Sequence, residues 1–94
     1  MDEQPIFSVI QTIAAPQAAT QLRQGEIVHI RLAGSPGNEA VISPVGGIGD
    51  DPRVSYQVRA SHGGTSHPVI STDGKPFLTP EDAIDAAVTH LRGL

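Results

Sequence analysis

The chain has 94 residues with ten Gly, eight Pro, no Cys and a formal net charge of −4. That length makes one domain, residues 1–94, near the lower end of what folds unaided. The missing cysteines exclude disulfides, thiolate catalysis and Cys-based metal centres, and the acidic balance disfavours a general polyanion binder while leaving room for a local basic patch.

Nine Ile and eight Val against five Leu lean towards strands. No apolar run reaches the ~18 residues of a membrane helix. The acidic start MDEQPIF argues against a signal or transit peptide. A cytoplasmic protein with no membrane association, and a whole gene product, is therefore expected.

In chain order, IFSVIQTI fits a strand or the first turns of a helix, with a strand over residues 6–13 favoured, and APQAATQLRQG reads as a short helix over residues 16–24 that stops at Gly25. EIVHIRLA predicts the next strand, with Val28, Ile30 and Leu32 on one side and Ile27, His29 and Arg31 on the other. AGSPGN reads as a hairpin loop. EAVISPV follows as a strand with Pro44 at its end or on an edge. GGIGDDP is another loop. RVSYQVRA is the clearest strand: Val54, Tyr56, Val58 and Ala60 alternate with Arg53, Ser55, Gln57 and Arg59. HPVIST is a further strand, ended by the turn dipeptide Asp73-Gly74.

LTPEDAIDAAVTHLRGL carries the signals of a helix over residues 80–92. Thr79 caps it, Pro80 starts it, Glu81 and Asp82 complement its positive end, and Gly93 stops it. Ala83, Ile84, Ala87, Val88 and Leu91 form its apolar stripe. The sum is an α+β fold: a small, mostly antiparallel sheet of four to five strands with the C-terminal helix packed on one face. The alternative is a small open β-barrel with the helix at one end.

Most chemical readings fail on residue type. GGIGDD at 46–51 is followed by Pro52 and a strand, where a phosphate loop needs a helix N-terminus, and Asp50 and Asp51 repel phosphate. No nucleophile elbow or apolar carboxylate pair is present. In SHGGTSHP the hairpin register decides where His62 and His67 point. A three-residue loop, Gly63-Gly64-Thr65, pairs His62 with Ser66 and Val58 with Ile70, and sends the two histidines to opposite faces. A two-residue loop pairs His62 with Thr65 and Ala60 with His67, and brings both to one face, within reach of a shared ligand. Burial of Ile70 favours the three-residue loop. No metal and no cofactor are expected.

The feature with functional content is the polar face of the sheet. Arg31, Arg53 and Arg59 are half the basic residues, and alternation sends them to one side with His29 and Gln57. The acidic residues are expected elsewhere: at the N-terminus, in the Asp50-Asp51 loop and on the helix. Arginine suits bidentate contacts with carboxylate or phosphate. No aromatic interleaves the arginines as a stacking platform for single strands, since Tyr56 points inward, and this favours a protein partner over a nucleic acid.

The tail GKPFLTPEDAIDAAVTHL resembles the unit with which double-stranded-RNA-binding-like and HicB-like antitoxin domains close a hairpin: a strand, an aromatic, a Thr-capped helix start and an amphipathic run. It spans about a fifth of the chain. Glu81 and Asp82 stand where a double-stranded-RNA binder carries lysines, so the resemblance implies no function or site here. The expected function is a non-enzymatic protein-binding module, an inhibitor or accessory regulator of phage or antitoxin type that occupies a macromolecular partner. Arg31, Arg53, Arg59, His29 and Gln57 would form its partner-binding surface. The alternatives are a nucleic-acid-binding regulator using the same arginines, and a metal binder or small enzyme using His62 and His67.

Overall fold

The structure, a computed structural model, describes residues 5–9, 12–46, 54–71 and 74–93. It is α+β. Six strands, β1 (Pro5–Ser8), β2 (Thr12–Ile13), β3 (Val28–Leu32), β4 (Ser35–Val45), β5 (Ser55–His62) and β6 (Thr65–Val69), form one antiparallel open sheet in the order β2-β1-β3-β4-β5-β6. Two helices, α1 (Ala15–Arg23) and α2 (Pro80–Arg92), cover one face. Among the described residues no helix is long and apolar enough to cross a membrane.

The strand count exceeds the four to five expected because the predicted strand at 6–13 is a hairpin. β1 folds back on β2 with Phe7 opposite Ile13. A continuous strand would have aimed Gln11 at the core along with Phe7, Val9 and Ile13. The hairpin instead buries Phe7 and packs Val9 and Ile13 against the same cluster. β4 is also longer than predicted. Part of AGSPGN is drawn into it, because the eight residues of β5 need partners from Asn38 to Val45. The excess length is absorbed by a register shift at Arg31/Leu32, where Arg31 faces Glu39 but Leu32 faces Ser35. GGIGDD and its Asp50 and Asp51 lie outside the described residues, except Gly46.

The core is one cluster. Phe7, Val28, Ile30, Leu32, Ala40, Ile42, Tyr56 and Val58 come from the sheet, Ala18 and Leu22 from α1, and Ala83, Ala87, Val88 and Leu91 from α2. Ala18, Ala83 and Ala87 are fully inaccessible, and these small side chains let the helix backbones approach the sheet closely. α2 forms where its signals place it. The Asp82 N–H donates to Thr79 Oγ1 at 3.1 Å, and Gly93 closes the far end. α1 has no side-chain cap, since Ala14 precedes it, and leans on Pro16 at its start and on tertiary packing.

The β5–β6 hairpin departs from expectation. Its loop is the two residues Gly63-Gly64, with φ +59° and +87°, and His62 pairs with Thr65. Two successive positive φ values make the turn whose twist matches that of antiparallel strands. Val69, not Ile70, then sits opposite Val58, so β6 starts at Thr65 and ends at Val69 instead of spanning 67–72. The Ile70 side chain is left 70% exposed. Past β6 the chain turns at Gly74, and Phe77 takes up the next place beside β5, accepting the Tyr56 N–H at 2.8 Å.

Candidate functional site

Strand alternation leaves one face of the sheet uncovered by helices, and the pairing register lays its side chains out in cross-strand rows. One row runs Ile6, Arg31, Glu39, Ser61, Ser66 from β1 to β6. The next runs Ser8, His29, Val41, Arg59, Pro68. Ser43 with Gln57, and Val45 with Ser55, continue the face over β4 and β5. Of the five residues predicted for this surface, His29, Arg31, Gln57 and Arg59 are brought together as expected. Arg53 lies outside the described residues.

The correction concerns sign. The acidic residues are expected away from this face, but Glu39 stands near its middle, directly across from Arg31. Its carboxylate accepts a hydrogen bond from His29 Nδ1 at 2.9 Å. With a carboxylate as its partner, Nδ1 is the nitrogen that carries the proton in this contact. The signal was present in EAVISPV: Ala40 and Ile42 face inward, so Glu39 must face out. Arg31 itself has no ion-pair partner among the described residues. Arg59 is held by Ser66, whose Oγ accepts from Nε at 3.4 Å. The two guanidinium-bearing positions stand on either side of β4 in adjacent rows, roughly 12 Å apart from two strand spacings and a two-residue offset. A shallow concavity of about 330 Å³ opens beside His29, Arg31 and Glu39.

The sheet edges offer less. β2 has two residues. In β6, Pro68 falls at a position between the hydrogen-bonded pairs that start at His62–Thr65, where an N–H would have pointed away from the sheet. Proline removes that donor, and the edge is a poor template for an added strand.

The histidines in SHGGTSHP lie on one face after all, because the two-residue turn sets the register. They do not face a common ligand. His62 bonds the Asn38 side chain through Nδ1. His67, packed across from the small Ala60, reaches the last turns of α2, where its Nε2 lies 2.8 Å from Nε2 of His90. The ring centroids are 5.0 Å apart, close to that contact plus the two ring radii, so the rings meet end-on as an N–H donor and a lone pair. Metal ligands would instead converge on a third point. No three His, Asp or Glu side chains cluster for a metal among the described residues. His90 was not foreseen as a partner, since nothing local links it to β6.

On the helical side, Arg23 of α1 donates to Glu81 of α2 at 2.7 Å. This hydrogen bond, with Arg23's charge, holds the Glu81 carboxyl below its ordinary pKa, although slight burial opposes it. No protein-family model, curated protein or solved structure matches the chain.

Proposed function

We propose that the chain is a non-enzymatic protein-binding module, an inhibitor or accessory regulator that occupies a macromolecular partner through the open sheet face. The observation that carries this reading is Glu39, set between Arg31 and the His29 that it accepts from. A polyanion laid on this face would meet a carboxylate at its centre. Among the described residues of this face, two arginines against one glutamate leave a net of a single positive charge, little for the counterion release that drives nucleic-acid binding. A protein surface of mixed sign can answer each group: carboxylates for Arg31 and Arg59, a cation near Glu39. Ile6, Val41 and Pro68, interspersed in the same rows, supply the apolar contact that such an interface needs. The blunted edges support a partner on the face and not beside it.

The test begins with a partner recovered from native lysate and measured by biolayer interferometry against wild type, Arg31→Glu with Arg59→Glu, and Glu39→Lys. The double variant should lose more than about tenfold in affinity, as arginine hot spots do. Glu39→Lys should also weaken a protein partner. A nucleic acid would instead bind Glu39→Lys more tightly and lose affinity steeply with salt. A partner indifferent to all three substitutions would refute the assignment to this face.

A further inference from the structure

A second concavity, of about 580 Å³, lies between α2 and two segments that follow β6, residues 69–71 and 75–78. We propose that it docks a short apolar segment flanked by lysine or arginine, presented by a partner protein, independently of the open sheet face. Ile70 and Leu78, 70% and 63% exposed, are the two most exposed large aliphatic side chains among the described residues, and both line this groove. Large apolar side chains grouped around a concavity mark a contact surface, whereas single exposed ones do not. Val69, Pro76, Phe77 and Ala86 complete the apolar lining.

The occupant's charge follows from the rim. Asp82 and Asp85, three residues apart, stand on the same side of α2 and line the groove. Neither has an ion-pair partner among the described residues, in contrast to Glu81, which Arg23 neutralises. Against them the lining carries one lysine, Lys75, and the imidazole of His90. Cationic residues beside the apolar anchors of an incoming segment would meet these carboxylates. A second copy of the chain fits less well, because a two-fold contact through this groove brings the acidic rim towards its own copy. An anionic membrane is disfavoured for the same reason.

The test is fluorescence anisotropy with a short fluorescein-labelled peptide of leucine and lysine, and with its leucine–aspartate counterpart as control. The lysine peptide should bind wild type. Leu78→Ser, which keeps the fold because this side chain is mostly solvent-facing, should raise Kd about tenfold as loss of an apolar anchor does. Asp82→Asn with Asp85→Asn should raise it about two- to fivefold, the range for exposed charge pairs. Arg31→Glu with Arg59→Glu should leave it unchanged, which separates this groove from the sheet face. No binding of the lysine peptide, equal binding of the aspartate peptide, or an unchanged Kd in Leu78→Ser would each overturn the proposal. So would sedimentation showing a wild-type dimer that Leu78→Ser dissolves, since the groove would then hold a second copy.

Discussion

Replacing Leu91 with alanine tests whether α2 is part of the fold or only rests on it. Leu91 lies in the last turn of α2, 2% exposed, within the cluster that includes Val28, Ile30, Ile42 and Val58. Truncation removes buried carbon and leaves a cavity that the flanking sheet, fixed by its own pairing, fills poorly. Buried Leu→Ala substitutions cost about 2–5 kcal/mol, and about 3 suits a site near a helix end with freedom to relax. A domain of this length holds roughly 5–14 kcal/mol in all, so the variant should fold but melt some 12–24 °C lower, at about 4–8 °C per kcal/mol. Thermal and urea unfolding followed by far-ultraviolet circular dichroism would measure it, with Leu78→Ala as control. Leu78 sits just before α2 with its side chain 63% exposed, and its loss should stay within about 0.5 kcal/mol. Equal midpoints for the two variants would show that α2 does not dock as described.

Two further outcomes follow from local geometry. At Gly63 and Gly64 an added Cβ meets nothing within 4 Å, so the cost of a side chain there is conformational. Gly64→Val should lose about 1–2 kcal/mol or more, while Gly63→Asn, at φ +59°, should be nearly neutral; equal losses in chemical denaturation would contradict the two-residue turn. Glu81→Gln concerns the Arg23 contact. Because the folded-state pKa of Glu81 is depressed from 4.5, the stabilisation is present above that value and disappears as pH falls through the lower folded one. The pair is exposed, so wild type should exceed the variant by less than about 1 kcal/mol at neutral pH. The difference should vanish in acid, and urea midpoints at the two pH values that differ equally would refute the linkage.

What the sequence determined by itself is what neighbouring residues decide. Thr79, Pro80, Asp82 and Gly93 bound α2 through contacts within a turn of the chain, and these signals hold wherever the helix packs. The alternation of Tyr56, Val58 and Ala60 with Ser55, Gln57 and Arg59 assigns the two faces of β5, because side chains on a strand repeat every second residue. His29, Arg31, Gln57 and Arg59 could therefore be grouped before any fold was known. Tertiary structure decided which strand lies beside which and in what register. SHGGTSHP is compatible with two loops of nearly equal local merit, and burial of Ile70 by itself favours the longer one. The fold packs Val69, half-buried, against the core instead, because the Gly-Gly turn twists as the strands do and His67 finds both the small Ala60 and His90, twenty-three residues away. Glu39 joined the arginines through the pairing of β3 with β4. The groove at Ile70 and Leu78 exists only because β6 ends at Val69 and the chain returns to place Phe77 beside Tyr56. Such contacts are chosen by the packing of the whole core, to which every strand contributes, and no local stretch contains that choice.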